Sequence, residues 1–180
     1  MNLNKVTKEI MITEEKIIKR VKALGKEITN DYKNEDILLV CVLNGAVMFM
    51  SDLMKEIKLP LEIDFMAVSS YGSATKSSGV VKIIKDLDKS IEGKSVIIVE
   101  DIIDSGLTLS YLVENLKSRG PKSIEICTML NKPSGRKANV FTKYVGFEIK
   151  DEFVVGYGLD YDEKYRNVPY VFVLDEDVYS

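Results

Sequence analysis

Three apolar runs constrain the fold of this 180-residue chain more than any other feature of its sequence. They occupy residues 36–43 (DILLVCVL), 95–99 (SVIIV) and 123–130 (SIEICTML). Each run has the length of one strand, and continuous apolar runs suit parallel strands that are covered on both faces. Helical segments at residues 46–57 and 107–118 separate them. The order strand, helix, strand, helix, strand predicts an α/β fold with a mainly parallel sheet.

The other segments are consistent with one domain over residues 1–180, since a chain of this length can bury one core. Thr13 is predicted to cap a first helix, because Glu14 and Glu15 follow it and acidic residues favour the first turn of a helix. Apolar residues then recur at helical spacing up to Ile28. Further strands are predicted at residues 61–69, 80–85, 145–149, 153–155 and 170–174.

Composition narrows the functional classes. The net charge is −3, so we expect no nucleic-acid partner, which would need a basic surface. No apolar run approaches the ~20 residues that span a bilayer, and the N-terminus has no apolar core of a signal peptide. Cys41 and Cys127 each lie inside an apolar run. That placement predicts buried thiols and a reducing, cytoplasmic location rather than a disulfide framework.

The sequence contains no histidine. This excludes the Ser-His-Asp and Cys-His nucleophile systems and the common zinc sites. Acid–base chemistry would therefore depend on carboxylates, lysines or tyrosines.

The strongest functional signal is the segment VIIVEDIIDSGLTL at residues 96–109. A strand is predicted to end in Glu100-Asp101, and Asp104-Ser105 follow at the start of a helix. Adjacent carboxylates repel each other unless a cation or a polyol lies between them. The free backbone N–H groups of a helix start favour a phosphate. A simple helix cap by Asp104 or Ser105 is the alternative, but a cap has no use for three carboxylates.

Residues 96–108 resemble the phosphoribosyl pyrophosphate signature of the type I phosphoribosyltransferases, and EDIIDSG resembles that of their 6-oxopurine branch. The resemblance implies a twisted sheet flanked by helices, with a small base-binding hood built from the N- and C-terminal segments. It implies that Glu100 and Asp101 face the ribose hydroxyls and Mg²⁺, and that Asp104 is the general base. The loop around the 5′-phosphate would consist of Asp104, Ser105, Gly106, Leu107 and Thr108.

Three further segments resemble the family's pyrophosphate-binding parts. Leu43-Asn44-Gly45 matches the pyrophosphate loop, which in the family often contains a non-proline cis peptide bond. Because Asn44 stands where relatives often carry a basic residue, we expect its backbone amide to act, together with that of Gly45. An ordinary turn is the alternative for this loop alone. Ser70 and Tyr71 begin a segment that resembles the family's active-site flap, and Arg166 matches an arginine that reaches pyrophosphate.

Residues 153–161 (FVVGYGLDY) resemble the family's purine-recognition segment. The resemblance implies that Phe153 stacks on the base and that backbone groups of Val154 and Asp160 read its edge. The Asp160 side chain would lie near a second Mg²⁺ through water. Lys132 matches the lysine that donates to the purine O6, and a lysine suits a 6-oxo group because it cannot accept a hydrogen bond. The alternatives are a core phenylalanine and a solvated lysine.

The resemblance implies transfer of a phosphoribosyl group from phosphoribosyl pyrophosphate to hypoxanthine or guanine, with Mg²⁺, by a homodimer or homotetramer. A first alternative is an enzyme of the same fold that acts on xanthine, adenine or orotate; Lys132 and residues 153–160 argue against adenine and orotate. A second is a regulator that senses the same ligand and binds nucleic acid. The lack of a basic excess and the complete acidic set argue against it.

Overall fold

A computed structural model of the chain describes residues 3–70 and 81–179. The strands are β1 Thr7–Ile12, β2 Ile37–Leu43, β3 Leu61–Ser70, β4 Val81–Lys85, β5 Ser95–Ile103, β6 Ser123–Asn131, β7 Tyr144–Glu148, β8 Val154–Val155 and β9 Val171–Leu174. The α-helices are α1 Glu14–Asp31, α2 Val47–Glu56 and α3 Leu107–Lys117.

Within the described ranges, six strands form one sheet in the order β4-β3-β2-β5-β6-β7. All neighbours pair in parallel except β4, which is antiparallel to β3. The two faces of the sheet carry separate cores. On β2, Leu39 and Cys41 pack with α1 and α2, whereas Leu38 and Val40 pack with α3. This confirms the predicted α/β fold and explains why β2 is apolar at every position.

The predicted hood is a second, three-stranded antiparallel sheet in the order β1-β9-β8. Strand β1 was not predicted, because its side chains are mostly exposed and show no clear apolar alternation. It becomes a strand through pairing with β9, from Thr7↔Leu174 to Ile12↔Val171. Tertiary pairing therefore overrides a weak local pattern at the N-terminus.

Strand β5 extends beyond its predicted end at Glu100-Asp101. The strand continues to Ile103, since Glu100 pairs with Thr128 and Ile103 pairs with Asn131 on β6. Glu100 and Asp101 therefore lie inside a strand rather than at its end. The ladder with β6 holds these polar residues in extended backbone.

No helix within the described ranges is long and apolar enough to cross a bilayer.

Candidate active site

The carboxylate pair lies near the carboxyl end of the sheet. Glu100 is buried and Asp101 is half-buried. Burial, and then the charge of Asp101, raise the pKa of Glu100 well above its usual range. Burial likewise raises the pKa of Asp101 to about 6, although the Ile102 N–H donates to its Oδ1 at 2.6 Å. A nearby cation would stabilise the charged forms of these two desolvated carboxyl groups.

The turn after β2 lies directly against this pair. The Leu43–Asn44 peptide bond is cis. A Cβ atom on Gly45 would lie 1.5 Å from Asp101 Oδ2, and a Cβ atom on Gly158 would lie 1.9 Å from the Gly45 carbonyl oxygen. The turn is therefore in close contact with Asp101 on one side and with Gly158 on the other. Only glycine fits at Gly45 while Asp101 keeps its position.

The predicted phosphate loop joins β5 to α3. Gly106 precedes α3 in the left-handed conformation (φ 76°), and the helix start has no side-chain cap. Ser105 Oγ instead accepts a bond of 3.4 Å from the Leu107 N–H. A cavity of about 160 Å³ opens here, lined by Glu100, Ile102, Ile103, Asp104, Ser105, Gly106, Thr108 and Leu109. Four of the five predicted loop residues, all except Leu107, thus line one small space at a helix N-terminus.

The carbonyl groups of this loop are bonded to residues 132–138. The Lys132 N–H donates to the Ile103 carbonyl at 2.9 Å, and the Arg136 side chain donates from Nε to the Asp104 carbonyl at 3.0 Å. The N–H groups of residues 137 and 138 donate to the Ser105 carbonyl at 2.9 and 3.0 Å. Sequence reasoning did not identify Arg136. Its position in a polar segment after β6 gives no local signal of this contact.

Lys132 lies between two carboxylates. Its Nζ is 2.7 Å from Asp151 Oδ1 and 3.7 Å from Asp104 Oδ2. Burial opposes the charge of the ammonium group, but the two carboxylates outweigh it and raise the pKa of Lys132. The side chain of Asp104 is 53% exposed and so remains open to a ligand. The structure therefore brings the predicted O6 donor and the predicted general base together, and it adds Asp151, which the sequence did not indicate.

Phe153 is 42% exposed, which excludes the alternative of a core phenylalanine. Its ring lies 5.9 Å from that of Tyr161, edge to face, and 5.0 Å from that of Tyr179. Its neighbour Val154 is buried in β8. An exposed aromatic ring of this kind can stack on a flat ligand.

Asp160 and Arg166 form a pair on the loop after β8. Arg166 Nη2 is 2.8 Å from Asp160 Oδ1, and Arg166 Nη1 donates to the Gly158 carbonyl at 2.9 Å. Arg166 lowers and Asp160 raises the pKa of Asp101, although burial dominates that pKa. The pair is therefore electrostatically close to the carboxylates of β5. Asp160 also accepts a bond from the Glu163 N–H at 3.0 Å.

The two residues predicted to begin the flap are Ser70 and Tyr71. Ser70 ends β3, opposite Val81 of β4. Tyr71 lies outside the described residues, as does Val80, the predicted first residue of β4.

Among the residues that the structure describes, no three carboxylates or thiols converge on one point. The adjacent Glu100 and Asp101 nevertheless fit Mg²⁺, which binds one or two carboxylates and fills its other positions with water and substrate phosphate.

Comparison with known proteins gives a consistent result. Residues 10–162 match the family model described as a phosphoribosyl transferase domain. The hypoxanthine-guanine phosphoribosyltransferase of Bacillus subtilis is 59% identical over 172 residues, which cover 96% of each chain.

Solved structures agree. The hypoxanthine phosphoribosyltransferase of Staphylococcus aureus superposes with a TM-score of 0.96 at 52% identity, over 100% of this chain and 99% of the other. The hypoxanthine phosphoribosyl transferase of Trypanosoma cruzi, studied for the role of its C-terminal region in oligomeric state and activity, gives 0.92 at 39% identity. That match covers 97% of this chain and 95% of the other.

Proposed function

The chain belongs to the phosphoribosyltransferase family, and we propose that it transfers the phosphoribosyl group of phosphoribosyl pyrophosphate to hypoxanthine or guanine. The products are IMP or GMP and pyrophosphate, which makes the protein a purine-salvage enzyme. One observation carries the proposal: the Glu100–Asp101 pair, a loop at a helix N-terminus and the Lys132–Asp104 pair all lie along the carboxyl edge of one mainly parallel sheet. Ligands bind at this edge in open α/β sheets.

The sugar and its 5′-phosphate bind at the end of the site where residues 132–138 already hold the loop backbone. Glu100 and Asp101 bind the ribose hydroxyls and Mg²⁺, which when bound neutralises charge on the pyrophosphate leaving group. The 5′-phosphate lies in the loop of Asp104, Ser105, Gly106, Leu107 and Thr108. The amides there and the dipole of α3 stabilise its charge.

The pyrophosphate group lies beside the turn after β2. Backbone amides of Asn44 and Gly45, next to Leu43, would donate to its oxygens. Arg166 contributes a planar fork suited to phosphate, once it is released from Asp160. Ser70 and Tyr71 are assigned to the same group from their sequence match alone.

The purine lies between Phe153, which stacks on one face, and Lys132, whose ammonium donates to O6. Backbone groups of Val154 and Asp160 read the base edge, and the Asp160 carboxylate would help to hold a second, hydrated Mg²⁺. Asp104 accepts the proton of purine N7 while the bond from N9 to the anomeric carbon forms and the bond from that carbon to pyrophosphate breaks. The 3.7 Å separation between Lys132 Nζ and Asp104 Oδ2 suits O6 and N7, which are neighbouring positions on a purine.

We assign the activity to one domain over residues 1–180 that forms a homodimer or homotetramer. We assign it to the cytoplasm, because Cys41 and Cys127 are free, buried thiols. Burial raises the pKa of the Cys41 thiol to about 12, so that thiol stays protonated and unreactive.

The test is to incubate the purified protein with phosphoribosyl pyrophosphate and Mg²⁺ and to offer hypoxanthine, guanine, xanthine and adenine separately. Nucleotide formation is followed by absorbance. Rapid product with hypoxanthine and guanine, and none with adenine, supports the proposal. Product with adenine alone contradicts the role of Lys132. No product with any base, alongside tight binding of phosphoribosyl pyrophosphate, favours a regulator instead.

A further inference from the structure

The orientation of the phosphate loop depends on what its carbonyl groups contact. In a trans peptide the C=O and the following N–H point in opposite directions. The Ile103 and Ser105 carbonyls are held by backbone N–H groups of residues 132, 137 and 138. The N–H groups of Asp104 and Gly106 therefore point away from that segment.

The peptide between Asp104 and Ser105 is held differently. Its carbonyl accepts from a side chain, Arg136 Nε, at 3.0 Å. The Ser105 N–H is turned away from residues 132–138 by this contact, in the same sense as its two neighbours. Successive N–H groups turned to one side form a concavity that binds anions. The orientation of the Ser105 N–H thus depends on the Arg136 side chain, which a single substitution can remove.

The Arg136 side chain is itself held by further contacts. Its Nη2 donates to Asn131 Oδ1, at the end of β6, and to the Ile103 carbonyl at 3.5 Å. Its Cδ would lie 3.2 Å from a Cβ atom on Gly106, so the stem covers the face that Gly106 leaves open. Arg136 is half-buried and bonded through two nitrogens, unlike a solvated surface arginine.

We propose that Arg136 is a positioning residue for the transfer reaction. By holding the Asp104 carbonyl it directs the Ser105 amide to the 5′-phosphate, and it fixes the backbone from which the Asp104 carboxylate projects. This inference rests on the proposed function. It predicts that losing the guanidinium weakens phosphate binding and proton transfer together while the purine pocket is unchanged.

The experiment compares Arg136→Ala with Arg119→Ala. Arg119 follows α3 and is not among the residues of the candidate active site. It is half-buried, and its two Nη atoms lie 2.8 and 3.0 Å from the oxygens of Asp86. Calorimetry with ribose 5-phosphate measures the phosphate site, and steady-state kinetics measures the reaction. In Arg136→Ala we expect Kd for ribose 5-phosphate and KM for phosphoribosyl pyrophosphate to rise about tenfold, with a lower kcat and an unchanged hypoxanthine KM. Arg119→Ala should change none of these.

Arg136→Lys should recover part of the loss, because one amine can reach the Asp104 carbonyl but cannot bridge to Asn131. If Arg136→Ala does not fold, Asn131→Ala replaces it, with a smaller rise in the same two constants. The inference is overturned if Arg136→Ala binds ribose 5-phosphate as Arg119→Ala does while the parent enzyme turns over. A parent protein that neither binds ribose 5-phosphate nor makes nucleotide overturns the proposed function, and this inference with it.

Discussion

The backbone at residues 103–105, which leads into the phosphate loop, is held by hydrogen bonds, whereas the purine end is held by contacts between side chains. In the loop, three successive carbonyls are bonded to residues 132–138. At the purine end, Lys132 is paired with Asp151 and Phe153 rests on two tyrosine rings. The sugar-phosphate end is therefore ready to bind, while the purine end must first exchange partners. A purine that accepts a hydrogen bond from Lys132 must replace the contact between Lys132 and Asp151.

The largest predicted effect lies at Asp104, where the two regions meet. Asp104→Asn keeps the backbone contact to Arg136 but removes the base that accepts the N7 proton. We expect kcat to fall by about 10²–10⁴-fold with little change in either KM. Asp151→Asn is the matched control, since Asp151 is the other carboxylate at Lys132, and its kcat should stay near that of the parent. Steady-state kinetics with hypoxanthine decides; turnover of Asp104→Asn at the parent rate removes the assignment.

The next substitution, Gly45→Ala, tests how rigid the sugar-phosphate end of the site is. In Gly45→Ala the new Cβ would lie 1.5 Å from Asp101 Oδ2, so the carboxylate or the turn must move. Because a shift of about 1 Å at a reacting centre can cost about 10²-fold, we expect kcat/KM for phosphoribosyl pyrophosphate to fall by roughly that factor.

Gly93→Ala is the control for Gly45→Ala: a Cβ there meets nothing within 4 Å, although φ is 72°. It should lose about 1 kcal/mol of stability and keep its kinetics. If Gly45→Ala also keeps parent kinetics, the turn or the Asp101 side chain can move without loss of activity. The sugar-phosphate end would then be less rigid than the contact between Gly45 and Asp101 indicates.

A smaller effect is expected from Lys132→Ala at the purine end. Loss of a charged donor to O6 should raise the KM of hypoxanthine and guanine about 10–100-fold and weaken discrimination against adenine. The KM for phosphoribosyl pyrophosphate should change little, since the Lys132 N–H that holds the Ile103 carbonyl remains. Lys164→Ala is the control, an exposed lysine paired with Asp162. Parent values of KM for both purines would contradict the role of Lys132.

The smallest effect concerns stability and its dependence on pH. Burial raises the pKa of Asp101 to about 6, so its native state favours the protonated form. This contribution to stability is complete below the unfolded pKa and is lost as the pH rises through about 6. Asp101→Asn removes the cost of the buried charge and keeps an acceptor for the Ile102 N–H. Without divalent cations at pH 8 we expect about 1–3 kcal/mol more stability, shrinking as the pH falls toward 4.

The control for this measurement has the opposite sign. Bonds from Arg119 lower the pKa of Asp86, so its carboxylate stabilises the native state above the unfolded pKa. Asp86→Asn should therefore lose stability at pH 8 and lose less as the pH falls. Urea unfolding at several pH values in EDTA distinguishes the two variants. An Asp101→Asn protein that is less stable than the parent at pH 8 would contradict the view that the acid pair is costly without a cation.

The parts of the molecule that could be predicted from the sequence have a local cause. The apolar runs of β2, β5 and β6 specify buried parallel strands, and the EDIIDSG segment specifies the loop by its residue types. The parts that could not be predicted depend on distant partners. Strand β1 exists through its pairing with β9, and the end of β5 is set by β6. Composition alone carries no information about such pairings.

The same reason separates the site residues. Lys132 and Phe153 stand in segments that resemble a family pattern, so they could be named. Asp151 and Arg136 act through contacts with residues 19 and 32 positions away in sequence, and their own neighbourhoods are ordinary polar loops. The pairing of Asp160 with Arg166 was also not expected, although both residues were predicted.

The hood has a consequence for the order in which the molecule is made. Its sheet joins β1 near the start of the chain to β8 and β9 near residues 154–174. A chain synthesised from its N-terminus can begin to assemble β2, β3, β5 and β6 on the ribosome, while β1 has no partner until β9 has emerged. We therefore expect the end of the site assigned to the sugar phosphate to form before the end assigned to the purine. A nascent chain arrested before β9 would carry the first without the second.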